Sequence, residues 1–163
     1  LEHPRVTVVP VETADEMAEA TWAAAEGADV AVMAAAVADF RPAETLDGKL
    51  RRLEGPPVID LEATPDVLGG VAAMADRPFL VGFAAEVGGL DEAIAKARRK
   101  GVDLLVANDV AAPGSGFGTD TNQVTIVLPD GATEPWSLTS KSEVAERLWD
   151  RIAELRKREG PAT

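Results

Sequence analysis

Phe79-Leu80-Val81-Gly82-Phe83-Ala84-Ala85, then Leu90 to Lys100, Gly101, and Val102-Asp103-Leu104-Leu105-Val106-Ala107 form the stretch that decides the fold. Residues 79–85 run without a charge, which suits a strand covered on both faces; a strand covered on one face alternates apolar with polar residues. Residues 90–100 end in cations and are followed by glycine, the usual sign of a helix closed by a left-handed residue. The apolar run 102–107 before Asn108-Asp109 is a second buried strand. Strand, helix and buried strand in succession describe a parallel pair joined by a crossover helix.

Working upstream, residues 29–38 (DVAVMAAAVA) are nearly all apolar and predict another strand covered on both faces, turning into Asp39-Phe40-Arg41-Pro42. Residues 5–11 alternate and are rich in valine, as a strand should be, and Thr13-Ala-Asp-Glu16 is a capping box opening a helix that ends near Gly27. Residues 44–57 are polar, basic and broken by Gly48, Gly55, Pro56 and Pro57, which predicts a mobile loop before a short strand at 58–62. Thr64 as N-cap and Pro65 at the first helical position open a helix weakened by Gly69 and Gly70 that ends near Asp76. The βαβαβ alternation predicts a mostly parallel sheet flanked by helices, with ligands at the carboxyl ends of its strands.

Downstream, residues 122–128 and 132–138 flank Pro129-Asp130-Gly131 and predict a C-terminal β-hairpin arm. Val124, Ile126 and Leu128 make that arm too apolar to be left unpaired at an edge, which predicts a homodimer. Ser140-Lys-Ser-Glu143 is a further capping box, and Val144, Leu148, Ile152 and Leu155 mark one face of a closing helix to about residue 158.

Length and composition bound what such a fold can do. The 163 residues suit one domain. No apolar run approaches the roughly 20 residues of a membrane helix. There is no cysteine, which removes disulfides and thiolate chemistry and fits a reducing cytoplasm. The lone His3 leaves no base for a Ser-His-Asp relay and no multi-histidine metal site. A net charge of -12 argues against nucleic acid as partner, so an anionic ligand needs a local basic pocket. The opening Leu1-Glu2-His3-Pro4-Arg5 has neither initiator Met nor leader pattern and reads as an internal cut.

Lys96-Ala-Arg-Arg-Lys100 places four cations in five residues on this acidic chain. Lys96 and Lys100 stand one turn apart on one face and could grip phosphates together, although spacing alone favours the ordinary role of cations at a helix end. Lys49, Arg51 and Arg52 lie in the loop, where solvated charge is the commoner reading. Asp39 follows an apolar strand, a place for ligand contacts and equally for plain turn aspartates. Thr64-Pro65-Asp66-Val67 begins a helix whose free N–H groups can hold an anion or a base edge, as can those of almost any helix. Phe83, Trp22, Trp136 and Trp149 are core or interface aromatics by default, and only Phe83, at a strand end, is placed to stack on a base. Neither GxGxxG nor GxxxxGK[ST] occurs, so there is no direct case for a dinucleotide or P-loop site.

Met33-Ala-Ala-Ala-Val-Ala-Asp39-Phe-Arg-Pro42, Thr64-Pro-Asp-Val67, Val81-Gly-Phe-Ala-Ala-Glu86, Ala107-Asn-Asp-Val110 and Gly116-Phe-Gly-Thr-Asp-Thr-Asn-Gln-Val-Thr125, in that order, closely resemble bacterial phosphopantothenate-cysteine ligase. The resemblance covers most of the chain and implies a Rossmann-like α/β fold. It implies a CTP-dependent acid-amino-acid ligase joining 4'-phosphopantothenate to L-cysteine through an acyl-cytidylate, in the cytoplasm, on the route to coenzyme A. Met33, Ala34 and Ala35 correspond to the backbone rim beside the nucleotide and Asp39 to a nucleotide contact. Pro65, Asp66, Val67 and Leu68 correspond to the nucleotide-binding turn, Phe83 to its aromatic neighbour, and Lys96 and Lys100 to the triphosphate lysines. Lys49 corresponds to the catalytic mobile-loop lysine that closes over the acyl-cytidylate. Mg²⁺ would accompany CTP, with no ligands assigned, and FMN would belong only to a fused or associated decarboxylase that this chain does not contain.

The family's first strand, its Gly-Gly-Thr turn and its Ser-Ser-Gly-Lys segment with a catalytic Asn have no match here. Residues 1–163 therefore read as the ligase domain without its N-terminal strand-turn-helix portion. A second expectation follows, a non-catalytic nucleotide-binding and dimerising fragment of the same enzyme. A nucleotide-sugar or NAD-type oxidoreductase is suggested by fold analogy alone.

Overall fold

The computed structural model describes residues 3–44, 48, 57–86, 89–109, 115 and 118–159. In chain order the elements are α1 (Ala14–Ala25), β1 (Val30–Met33), β2 (Phe40–Pro42), β3 (Leu61–Ala63), α2 (Val67–Ala72), β4 (Phe79–Glu86) and α3 (Leu90–Lys100). Then follow β5 (Leu104–Asp109), β6 (Thr121–Asn122), β7 (Val124–Val127), β8 (Thr133–Pro135), β9 (Thr139–Ser140) and α4 (Lys141–Glu159).

The central sheet has the order β1-β4-β5-β7-β8. β1, β4 and β5 are parallel, with Val30 opposite Phe79 and Val81 opposite Leu104; β7 and β8 are added antiparallel. The unbroken apolar character of residues 79–85 now has its cause, because alternate side chains enter different cores. Leu80 and Ala84 join Leu105, Val71 and Ala97 beneath α2 and α3, whereas Phe79 and Val81 join Val106, Ile126, Leu148 and Ile152 beneath α4. The boundaries of α1, α3 and α4 follow the caps read from sequence. Glu16 N–H donates to Thr13 Oγ1 at 3.2 Å while the Glu16 carboxylate accepts from the Thr13 N–H, and Gly101 closes α3 at φ 64°. At the start of α4, the Glu143 N–H donates to Ser140 Oγ at 3.1 Å.

Four expectations are corrected. Residues 5–11 form no strand: Val6, Val8 and Val9 are 51%, 65% and 59% exposed, and no ladder reaches them among the described residues. Alternation sorts side chains to two sides of an extended segment, but a strand also needs a neighbour for its backbone groups. Among the described residues β1 pairs only with β4, which makes it an edge strand there, and Val32 is exposed, so its faces are not both covered. The helix at 64–76 shortens to α2, capped by Asp66, whose Oδ1 accepts from the Gly69 N–H at 3.0 Å. Thr64 is not the cap, because its hydroxyl donates to the Ala38 carbonyl instead.

The hairpin is the fourth. It is present, with Gly131 at φ 101° in its turn, but β7 pairs with β5 and so belongs to the main sheet. Val124 and Ile126 are buried against α4, and Leu128 packs on the same cluster. The open edge of β5 satisfies the hairpin within its own chain, so these three residues no longer argue for a dimer. Most of the loop 44–57, Lys49 included, lies outside the described residues.

Candidate functional site at the carboxyl ends of the parallel strands

Where β1 ends beside the middle of β4, the chain leaves a cleft of about 740 Å³. One wall is the segment after β1, with Met33, Ala34, Ala35 and Asp39; a second is the turn of Pro65, Asp66, Val67 and Leu68 at the head of α2. Phe83 lines it from within β4, three residues before that strand ends, so it does not hold the strand-end position expected from sequence; Lys96 and Lys100 line it from α3. The two rims are tied together by Thr64, whose N–H donates to the Asp39 carbonyl at 3.0 Å and whose hydroxyl donates to the Ala38 carbonyl. The residues singled out from sequence thus meet in one place, apart from Lys49, which is outside the described residues.

The basic helix divides its charges between two tasks. Arg98 turns to the hairpin, where its Nε donates to the Pro129 carbonyl at 2.6 Å and ties α3 to that turn. Lys96 and Lys100, one turn apart, face the cleft. Lys100 Nζ donates to Asp66 Oδ2 at 2.7 Å, so one carboxylate both caps α2 and holds a cleft lysine. The Lys100 ammonium first, and the Gly69 N–H second, hold the Asp66 carboxyl below the ordinary aspartate value. A Cβ on Gly69 would stand 2.6 Å from Asp66 Oδ2, so a larger residue here would need the capping carboxylate to shift.

A lining of small apolar residues, backbone at a strand end and two ammonium groups at one side can take a flat ring and a phosphate chain. Among the described residues no three acidic or histidine side chains converge to hold a metal. A hydrated Mg²⁺ needs only one or two carboxylates; of the acidic residues on the lining, Asp39 would be the one to meet it, because both oxygens of Asp66 are engaged by the Gly69 N–H and Lys100.

Sequence reasoning missed the wall from α1, where Met17, Thr21 and Ala24 line the cleft, and the segment before it, with Thr7, Val9 and Val11. Both signals were present. Positions 17, 21 and 24 share one helix face, and 7, 9 and 11 share one side of an extended segment. Nothing in the sequence said that those faces turn to a cavity. Among the described residues no helix is long and apolar enough to cross a membrane.

Comparison with known proteins fits this arrangement. Residues 1–155 match the family model for the DNA/pantothenate metabolism flavoprotein C-terminal domain. The chain is 39% identical over 153 residues to coenzyme A biosynthesis bifunctional protein CoaBC of Bacillus subtilis (strain 168), covering 93% of this chain and 38% of that protein. It is 43% identical over 159 residues to the protein of the same name from Mycobacterium bovis, covering 90% of this chain and 38% of the relative. A crystal structure of the C-terminal domain of coenzyme A biosynthesis bifunctional protein CoaBC superposes with a TM-score of 0.74 at 37% identity, covering 95% of this chain and 70% of that one. The chain therefore spans well under half the length of these two curated relatives. With the family model matched over nearly its whole length and the same fold, the chain belongs to the DNA/pantothenate metabolism flavoprotein C-terminal domain family.

Proposed function

We propose that the chain acts in coenzyme A biosynthesis as the ligase part that joins 4'-phosphopantothenate to L-cysteine at the expense of CTP, in the cytoplasm. The relatives' names supply the pathway. The observation that carries the reading is the cleft itself: residues from the β1 exit, the α2 turn, β4 and α3, far apart in sequence, converge with two lysines at one side. In the first step a substrate carboxylate oxygen bonds to the α-phosphorus and the bond to pyrophosphate breaks. In the second the cysteine amine bonds to the acyl carbon and CMP leaves. Charge gathers on the leaving pyrophosphate, where Lys96 and Lys100 favour the transition state over the ground state. The base lies against Ala34 and Pro65, whose backbone groups read the cytosine edge, with Phe83 beside it. Mg²⁺ comes with the nucleotide and neutralises phosphate charge, and FMN stays with a decarboxylase partner.

A homodimer is part of this proposal, now carried by a different surface. β2 and β3 form a two-stranded antiparallel ribbon apart from the main sheet, and Phe40, Ile59 and Leu61 on and beside it are at least 60% exposed. Such apolar surface on a short ribbon favours a partner.

Titration calorimetry with CTP and ATP tests the nucleotide assignment: CTP should bind at least about tenfold more tightly, a difference of roughly 1.4 kcal/mol. Equal affinities would remove it. Release of pyrophosphate from CTP, 4'-phosphopantothenate and cysteine separates the ligase from a fragment that only binds. Lys49→Ala should leave CTP affinity nearly unchanged while lowering kcat, as expected of a contact made after ground-state binding. Wild-type turnover in that variant would return Lys49 to a solvated loop charge.

A further inference from the structure

We infer that Trp22, on α1, is a positioning residue for the α2 rim of the cleft, and that Gly70 is the space its indole requires. The inference rests on the nucleotide reading of the cleft and adds a residue that touches no substrate. Trp22 Nε1 donates to the Val67 carbonyl at 3.0 Å, across 45 positions of sequence. Val67 is the first residue of α2, is 3% exposed, and lies on the cleft rim. A Cβ on Gly70 would stand 2.2 to 2.6 Å from the three nearest atoms of the Trp22 indole, so no other residue fits there while the indole stays in place.

This accounts for a feature that propensity makes look like a defect. Two successive glycines cost a helix about 1 kcal/mol each relative to alanine. In α2 Gly69 leaves the Asp66 carboxylate in its present capping position, and Gly70 admits Trp22. A helix of six residues cannot hold itself, because helices this short are marginal without packing. Its placement depends on Val67 and Val71 in the core and on the grip of Trp22 on its first carbonyl. Core contacts resist withdrawal of the helix, whereas a directed hydrogen bond also sets its rotation about its own axis. That rotation fixes where Pro65 and Leu68 face the cleft. The effect falls on the base and ribose end, because Lys96 and Lys100 stand on another helix and only the Lys100 ammonium touches this rim, through Asp66.

Trp22→Phe keeps a ring and removes the donor, while Gly70→Ala forces the ring outward. Amide hydrogen exchange of residues 64–70 in the ligand-free chain should become at least about fivefold faster in both variants, the scale of one lost hydrogen bond. Exchange over 90–100 should be unchanged. CMP and CTP should weaken by the same factor, roughly three- to tenfold, unlike the CTP-selective loss expected for Lys100→Ala. Unchanged exchange at 64–70, or faster exchange with wild-type CMP affinity, overturns the assignment. Faster exchange over 90–100 as well means general loosening and also overturns it. If the unaltered chain binds neither nucleotide, the CTP reading has failed, and the exchange result still decides whether Trp22 holds the rim.

Discussion

Replacing Lys100 with alanine should weaken CTP by about tenfold to a hundredfold while CMP binds almost as before. A charge-assisted hydrogen bond contributes roughly 1.5–3 kcal/mol, and about 1.4 kcal/mol is one decade in affinity. CMP lacks the β- and γ-phosphates these ammonium groups would meet, so it cannot register the loss. Lys96→Ala should act in the same direction with a smaller effect. The difference lies with Asp66, which stands 2.7 Å from Lys100 and stays behind when that lysine is removed. An unpaired carboxylate then faces the phosphate chain and adds repulsion. Both losses should shrink at high salt, because the groups are partly exposed. Equal losses for CTP and CMP would place the lysines away from the phosphates and return them to ordinary helix-end duty.

The largest effect on stability is expected from Ile126→Ala, at about 2–5 kcal/mol. Ile126 is fully buried among Val106, Val124 and Leu148 of its own chain. Deleting its methyl and methylene groups leaves a cavity that the surrounding sheet and α4 fill only partly. At roughly 2–4 °C per kcal/mol for a domain of this size, Tm should fall by on the order of 10 °C. The loss should not depend on protein concentration, since every contact is internal. A loss that grows on dilution would restore the hairpin as a contact between copies.

The contrast between the middle of the chain and the segments on either side shows how much of this was legible. Residues 79–109 could be read because burial on both faces, a helix-closing glycine and a second apolar run all pointed the same way. The caps at Thr13 and Gly101 are local chemistry and held. At residues 5–11 and in the hairpin the pattern was read correctly as extended and apolar, but pairing is a long-range property. The same valine alternation suits a paired strand or a wall of the cleft. Val124 and Ile126 suit a dimer contact or, as here, the edge of β5. At the site, the resemblance named individual residues, and the bond from Trp22 to Val67 was invisible because nothing in either local sequence points to the other. Gly69 and Gly70 were read as weakness in a helix; only the placement of Asp66 and Trp22 turns them into room.

Amide hydrogen exchange of the whole chain with and without saturating CTP tests the central claim most directly. If the cleft is the nucleotide site, protection should rise at 33–39, 64–68 and 96–100 together, with β8 and α4 unchanged. Protection confined to other segments, or none at a CTP concentration that calorimetry shows to be saturating, would contradict it.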